Sequence, residues 1–216
     1  MENITWNNNF AYALGLMTSD DNLSPDGRHL AFVSKDIDQI NTFKRCLGLK
    51  NKTSIKKSGY TKDPKKIYYV VQFGNVKMYN FLTDIGLSPN KSKAIGPLLI
   101  PPAYLPDFLR GLIDGDGSIG YFMHPESKEK QFRVRIASAS IQFLEWLRKR
   151  LTMRLGIKGS INKVVRAYQL NYYKGDSCKI VKFMYYSNRV PCLKRKYDRA
   201  MLMNVRAWRN WQTLTA

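Results

Sequence analysis

The sequence is short of acidic residues, and this shortage is its strongest compositional feature. Its 216 residues contain 16 Asp and Glu against 36 Lys and Arg, which gives a formal net charge of +20. A surplus of this size favours a polyanionic partner, either nucleic acid or an acidic membrane surface. Apolar residues still make up 44% of the chain, so a folded core is expected rather than wholesale disorder.

Long apolar runs and paired cysteines are also missing. The most apolar stretch, residues 96–105, is interrupted by three prolines and is far shorter than the roughly 18 residues that a membrane-spanning helix needs. No secretory signal or transit peptide is visible, so we expect an intracellular protein, in a microbial cytoplasm or an organelle, with no membrane partner. Cys46, Cys178 and Cys192 lack Cys-x-x-Cys spacing, which argues against structural zinc and favours free thiols.

What the sequence does contain is an internal repeat. The segment Tyr12-Ala-Leu-Gly-Leu-Met-Thr-Ser-Asp-Asp aligns with Phe108-Leu-Arg-Gly-Leu-Ile-Asp-Gly-Asp-Gly at an offset of 96, which places Gly15 on Gly111. Further matches follow at offsets of 105 to 108. The repeat predicts three parts of the chain: an N-terminal repeat over 1–100, a linker over 101–105 and a C-terminal repeat over 106–216.

Both repeats show the same order of helical and strand-like periodicity. Asn8 or Asn9 can cap the first helix, and Pro106 suits the first turn of its counterpart. Alternating apolar and basic residues over 132–137 predict a strand with one buried and one cationic face. The predicted fold class is α+β, with two pseudo-symmetric αββαββα repeats packed through their first helices.

A glycine and an acid recur in each of these first helices. A glycine inside a helix costs about 1 kcal/mol relative to alanine, and close packing of the two helices at Gly15 and Gly111 would offset this cost. Asp20 and Asp116 would then emerge together at two helix C-termini, where paired carboxylates are unfavourable without a cation. Oxygen ligands suit Mg²⁺, so the pattern predicts metal-assisted phosphodiester hydrolysis beside a cationic surface.

These residues resemble the motifs of the LAGLIDADG homing endonucleases in their single-chain, two-motif form. Leu109-Arg-Gly-Leu-Ile-Asp-Gly-Asp-Gly differs from the family nonamer at two positions, one of which is Arg110. Ala13-Leu-Gly-Leu-Met-Thr-Ser-Asp-Asp is degenerate, with Thr18 in place of the first acid. The resemblance covers about residues 8–205 and implies two saddle-shaped sheets straddling double-stranded DNA, each reading a major-groove half-site.

The resemblance also implies the reaction and its cofactor. A monomer with internal pseudo-twofold symmetry would make a double-strand break with short 3′ overhangs at a long, asymmetric target. Mg²⁺ is the expected metal; Mn²⁺ is expected to substitute, and Ca²⁺ to bind without supporting cleavage. Asp20 and Asp116 match the metal ligands, with the carbonyls of Ser19 and Gly115 as accessory ligands. The matching catalytic basic positions near the central phosphates are Lys35, Lys91 and Lys196, with Lys194 or Arg195 as alternative registers for the last.

Outward strand positions are expected to read bases, and flanking lysines to contact phosphates. The charge is uneven: 14 basic and 8 acidic residues give +6 up to residue 105, and 22 and 8 give +14 beyond it. We therefore expect the C-terminal repeat to supply more phosphate contacts. The predicted DNA-binding residues are Arg28, His29, Ser34, Lys56, Lys57, Lys62, Lys65, Lys66, Tyr68 and Gln72 in the first repeat, and Arg133, Arg135, Ser138, Lys163, Arg166, Gln169, Asn171 and Tyr173 in the second.

Two other functions remain open on the same scaffold. An RNA maturase that assists intron splicing, with intron RNA as its partner, would not require both acids. A non-cleaving DNA-binding regulator would tolerate a degenerate motif, although the retention of Asp20 beside the altered Asp21 argues against it. A calcium loop starting at Asp114 is disfavoured because Pro125 stands where a glutamate is needed.

Overall fold

The structure is a computed structural model that describes residues 4–57, 67–89, 95–124 and 126–202, without the side chains of residues 20–22 and 57. It contains two repeated halves, each with an antiparallel four-stranded sheet and helices on one face. The predicted α+β fold of two pseudo-symmetric repeats is therefore confirmed.

The first repeat contains three helices and four strands. Its helices are α1 (Asn8–Asp20), α2 (Ile37–Leu47) and α3 (Val76–Asp84). Its strands are β1 (Asp21–Leu23), β2 (His29–Ser34), β3 (Thr53–Lys57) and β4 (Ile67–Gly74), and they pair in the order β1-β2-β4-β3.

The second repeat follows the same order with longer elements. A 3₁₀ turn (Pro102–Tyr104) leads directly into α4 (Leu105–Asp116), and the later helices are α5 (Ile141–Leu155), α6 (Lys174–Met184) and α7, described over 194–202. The strands are β5 (Gly117–Met123), β6 (Lys130–Ser138), β7 (Ser160–Val164) and β8 (Ala167–Tyr173), in the order β5-β6-β8-β7.

Local side-chain chemistry sets the helix starts. Asp36, Asn75 and Ser140 each have extended backbone and accept a bond from an amide in the first turn of α2, α3 and α5. For α1 the cap is Asn7, whose Oδ1 accepts from the Phe10 amide at 2.8 Å, so the prediction of Asn8 or Asn9 was wrong by one or two residues. Each capping side chain accepts from an amide of the first helical turn, and that amide has no acceptor within the helix.

The two repeats meet where α1 crosses α4. A Cβ atom on Gly15 would lie 2.1 Å from the Phe108 carbonyl oxygen, and one on Gly111 would lie 2.0 Å from the Tyr12 carbonyl oxygen. Because residues 12 and 108 are equivalent in the repeat, the two helices make the same contact on each other. This confirms the predicted close packing at the glycines. Each helix continues for five residues beyond its glycine to reach Asp20 or Asp116.

The core lies between the sheets and their helices and continues through the α1–α4 contact. Alternate residues of β2 and β6 point into it, which leaves the opposite face of each sheet outward. Cys46, Cys178 and Cys192 are unpaired and half-buried, as predicted. In the described part of the chain, every helix is too short or too polar to cross a membrane.

Candidate active site and nucleic-acid interface

The two acids at the C-terminal end of α4 differ in exposure. Asp116 is exposed on the last turn, whereas Asp114 is 1% exposed. The Oδ2 atom of Asp114 accepts from the Tyr12 hydroxyl at 2.9 Å and from the Leu193 amide at 2.7 Å. Burial raises the pKa of Asp114 to about 6, although these two donors and Lys196 pull it down. Asp114 is thus a structural acid that joins α1 and the C-terminal segment to α4.

Lys196 lies beneath the same helix end. Its side chain is buried, and Nζ donates to the carbonyl oxygens of Ile113 (2.6 Å), Asp114 (2.8 Å), Gly115 (3.1 Å) and Gly117 (2.8 Å). The predicted role of Lys196 as a basic group facing the central phosphates therefore needs correction, because its ammonium points into the protein.

Residues of the first repeat also hold the end of α4. Gln39 donates from Nε2 to the Asp114 carbonyl at 2.9 Å, and its Oε1 accepts from the Ser34 hydroxyl at 2.6 Å. Ser34 lies on the buried face of β2, in phase with Leu30 and Phe32. The structure thus places Ser34 in a buried polar relay and away from the outward face on which a DNA contact was predicted.

The predicted metal ligands fit a divalent cation in their chemistry. Asp116 offers an exposed carboxylate at the negative end of the α4 dipole, and Gly115 offers a half-buried carbonyl that it shares with Lys196. These are hard oxygen donors of the kind that Mg²⁺ and Ca²⁺ prefer. Within the described side chains no group of three or more His, Cys, Asp or Glu is placed so that it could hold a metal ion, so the proposed donor set includes backbone carbonyls and DNA phosphates as well. The side chain of Asp20 lies outside the described residues, and Ser19 donates its hydroxyl to the Leu16 carbonyl at 2.7 Å.

A basic and aromatic cluster lies on the outward face of the first sheet. Lys35 is exposed, and its Nζ lies 5.3 Å from the centre of the Tyr68 ring. Lys56 pairs directly with Tyr68 across β3 and β4 and is exposed too. The next residue after Lys35, Asp36, reaches Arg195 at 3.4 Å. Lys35 is also only four residues before Gln39, which donates to the Asp114 carbonyl at the end of α4.

The outward face of the second sheet carries two arginines with different supports. Arg133 lies over the Phe122 ring at 4.3 Å, and Arg135 donates from Nε to the Ser118 hydroxyl at 3.2 Å. An open recess of about 580 Å³ lies beside Arg133. Its lining residues are Phe122, His124, Gln131, Arg133, Tyr173 and Lys174. Both arginines occupy the face opposite the core, as the strand alternation predicts.

The remaining predicted DNA contacts are scattered. Gln72 and Arg28 are exposed, and Asp26 accepts bonds from the amides of Arg28 and His29, an arrangement that lowers the pKa of Asp26. In the second repeat Arg166 is exposed in the β7–β8 turn with a positive φ of 65°.

Two further contacts need correction. Lys163 is exposed but shares a strand face with the core-facing Ile161, so it lies on the helix side of the sheet. Asn171 is buried, with its amide donated to Asn162 and to the Gln169 carbonyl.

The other predicted contacts of the second repeat lie on or beside the outward face of its sheet. Gln169 and Tyr173 lie on outward positions of β8, and the Ser138 hydroxyl at the end of β6 accepts from the Ser140 amide at 3.1 Å. The predicted contacts that lie outside the described residues or side chains are Lys57, Lys62, Lys65, Lys66 and Lys91.

The sequence reading missed a buried ion pair. Arg110 is fully buried, pairs with Asp107, and donates to the carbonyls of Met184 (2.6 Å) and Pro191 (2.7 Å). Its guanidinium lies 5.4 Å from the Tyr12 ring centre. The available signal was the departure of Arg110 from the family nonamer, together with an acid three residues earlier on the same helix face.

Comparison with known proteins agrees with this geometry. The family described as LAGLIDADG-like domain matches residues 104–195. No curated protein matches the sequence significantly.

Solved structures extend the likeness to the first repeat. The homing endonuclease I-WcaI bound to its DNA recognition sequence is 14% identical, with 91% of this chain and 88% of that chain covered and a TM-score of 0.62. A variant of I-DmoI in complex with its target DNA in the presence of Mg is 20% identical, with 84% and 97% covered and a TM-score of 0.53.

A third similar structure is full-length DUF199/WhiA from Thermotoga maritima, 16% identical over 93% of this chain, with a TM-score of 0.57. The chain spans 62% of the length of that protein. Residues 104–195 thus match the LAGLIDADG-like domain by sequence, and both repeats share the fold of these solved structures.

Proposed function

We propose that this chain is a site-specific, metal-dependent DNA endonuclease that acts as a monomer. It makes a double-strand break with short 3′ overhangs at a long, asymmetric target. The observation that carries the proposal is the end of α4, where exposed Asp116 terminates a helix that crosses its repeat partner at Gly15 and Gly111. The exposed carboxylate is a hard oxygen donor, and a divalent cation would bind it on the solvent side of the helix end.

The two acids and two carbonyls have distinct proposed roles. Asp20 and Asp116 would hold the metal, with the carbonyls of Ser19 and Gly115 as accessory ligands. When bound, a divalent ion activates water and stabilises the leaving oxygen of a phosphodiester. Mg²⁺ is the proposed ion, in line with the presence of Mg in the I-DmoI complex. We expect Mn²⁺ to replace it and Ca²⁺ to support binding without cleavage.

The outward faces of the two sheets would hold the duplex. Lys35 would contact a phosphate near the cut, because it is exposed and follows the strand that ends beside α4. Arg133 and Arg135 would contact base edges or phosphates in the second half-site, since both lie outward and each is supported by a neighbour on β5. The complex of I-WcaI with its recognition sequence supports DNA as the partner.

A plasmid carrying the rejoined genomic sequences that flank the reading frame tests the proposal. The purified chain should linearise this plasmid in Mg²⁺ and leave it intact in EDTA. Asp116→Asn should lose cutting while it still binds the same duplex in Ca²⁺. Asp84→Asn, which changes an exposed acid at the end of α3, serves as the control and should cut normally.

The same experiment separates the alternative functions. A wild-type chain that binds the duplex but never cuts it would instead support a non-cleaving DNA-binding regulator. Asp116→Asn protein that cuts at the wild-type rate would remove the metal-ligand assignment. Stimulated splicing of an intron RNA by a chain that does not cut would support the maturase.

A further inference from the structure

The surroundings of Lys196 are unusual for a basic residue in a DNA-binding protein. Its side chain is only 5% exposed, and its Nζ has carbonyl oxygens of Ile113, Asp114, Gly115 and Gly117 within 3.1 Å. A lysine ammonium has three N–H donors. Four acceptors therefore use its whole hydrogen-bonding capacity inside the protein.

The four oxygens belong to the end of α4 and the start of β5. The last carbonyls of a helix have no intrahelical donor and carry the negative end of the helix dipole. A buried ammonium is costly unless it is paired, and here each group satisfies the other. Lys196 therefore acts on α4 as a bound monovalent cation would.

A second donor reaches the same helix end from the other repeat. Gln39, at the start of α2, donates to the Asp114 carbonyl at 2.9 Å, and Ser34 fixes the orientation of the Gln39 amide. The turn that leads to Asp116 is thus held by one side chain from each repeat. Both contacts lie within two residues of that acid.

We propose that Lys196 is a positioning residue, an internal cation that fixes the end of α4 and so aims the Asp116 carboxylate, and that it makes no phosphate contact. Gln39 is the neutral partner in the same task. The inference rests on the proposed function for the role of Asp116, whereas the placement of the ammonium does not depend on it.

Salt dependence distinguishes the positioning role from a phosphate contact. A lysine that neutralises a phosphate contributes about 0.9 to the slope of log K against log salt. Lys196→Ala should therefore keep the wild-type slope on a labelled duplex in Ca²⁺. Lys149→Ala, an exposed charge on the outer face of α5, is the matched control. Lys35→Ala is the comparator that should lose about 0.9 of the slope.

Cleavage by the bound complex measures positioning directly. Loss of a group that supports a metal ligand typically lowers activity about 10- to 100-fold, so we expect a fall of that order in the single-turnover rate of Lys196→Ala. Its affinity for DNA should stay at the level of the Lys149→Ala control. This separation of rate from affinity would not follow from general destabilisation.

Chemical rescue supplies the sharpest readout. Removal of the side chain leaves a nest of carbonyl oxygens that should accept a small primary ammonium ion. Ethylammonium should raise the unfolding temperature of Lys196→Ala in a saturable manner, since a ligand that binds only the folded state stabilises it. It should also restore part of the cleavage rate. Tetramethylammonium has no N–H donor and is the control that should do neither.

Each outcome decides the proposal. A salt slope that falls with Lys196→Ala as it does with Lys35→Ala would make Lys196 a phosphate contact, and an unchanged cleavage rate would leave it purely structural. Equal effects of the two amines would also overturn the ammonium nest. If Lys196→Ala does not fold, Gln39→Met should show a smaller loss of rate with an unchanged slope, and no loss of rate would overturn the shared positioning. If the wild-type chain does not cut, the proposed function fails, but the salt slope and the amine-dependent unfolding still test the placement of Lys196.

Discussion

The two repeats are equal where they touch each other and unequal beyond that contact. Gly15 and Gly111 each lie so close to a carbonyl oxygen of the partner helix that a Cβ atom would not fit. Three residues further along, the repeats differ. Among the described residues, Thr18 bonds within its own helix, to the Leu14 carbonyl at 2.8 Å, whereas Asp114 bonds to Tyr12 and Leu193. The helix crossing requires a glycine in both helices, whereas the side-chain contacts that hold the two helix ends differ.

The additional polar contacts lie in the second repeat, where α4 is bonded to the segment over residues 184–196. Arg110 binds the carbonyls of Met184 and Pro191, and Lys196 holds the end of α4. The residue equivalent to Arg110 in the first repeat is the buried, apolar Leu14. Polar bonds thus hold α4 more firmly than α1, and this asymmetry should appear in the unfolding free energies of variants of the two repeats.

The largest expected effect should be the same in both repeats. Gly15→Ala and Gly111→Ala would each place a methyl group about 2 Å from a backbone oxygen, and we expect a loss of about 5 kcal/mol in unfolding free energy or a failure to fold. Denaturant unfolding measures it. Gly175→Ala is the control, since a Cβ there meets nothing within 4 Å. A large difference between the two helix variants would break the equality of the crossing.

The next effect should appear in the second repeat alone. Arg110→Leu copies the first-repeat residue and removes the ion-pair partner of the buried Asp107, which keeps the hydrogen bond from the Tyr186 hydroxyl. Removal of one member of a buried ion pair costs about 3–5 kcal/mol, which unfolding in denaturant would show. The double variant Asp107→Ala/Arg110→Leu copies both first-repeat residues and should recover part of that loss. A double variant no more stable than Arg110→Leu would place the energy in the bonds to Met184 and Pro191 instead of the ion pair.

Sequence patterns predicted what depends on local chemistry. The strand predicted over 132–137 lies within β6, and the helix crossing follows from the cost of glycine in a helix. Strand alternation also contained the correct position of Ser34, because residues two apart share a face and Leu30 and Phe32 are buried. The prediction that Ser34 contacts DNA followed its match to a family position and not this alternation.

Contacts between distant parts of the chain could not be predicted in this way. Lys196 lies about 80 positions from the carbonyls that it binds, and no local pattern distinguishes a buried ammonium from an exposed one. Gln39 has the same difficulty, because its partner Asp114 belongs to the other repeat. The packing of the C-terminal segment decides both contacts, and that packing is a property of the whole fold.

A smaller difference in unfolding free energy is expected between variants that remove a hydrogen bond at the equivalent positions 18 and 114. Tyr12→Phe removes a hydrogen bond to the buried Asp114 carboxylate and should cost about 1–3 kcal/mol of unfolding free energy. Thr18→Val removes a bond within α1 and should cost less, about 0.5–1.5 kcal/mol, because the lost bond joins two neutral groups. Equal losses in denaturant unfolding would show that Asp114 does not support α4 more strongly than Thr18 supports α1.

The smallest effect concerns the uneven charge of the two halves, +6 and +14. Equal numbers of outward basic residues can be changed to glutamine in each half, and the slope of log K against log salt measured on one duplex. Three phosphate contacts together contribute about 2.7 to that slope. We expect a larger fall in the second half, because β6 has two arginines at outward positions, whereas β2 has no Lys or Arg at its outward positions. The first-half triple is Arg28, Lys35 and Lys56, and the second-half triple is Arg133, Arg135 and Arg166. Equal falls would mean that the surplus charge of the second repeat lies away from the DNA, on the helix side where Lys163 already is.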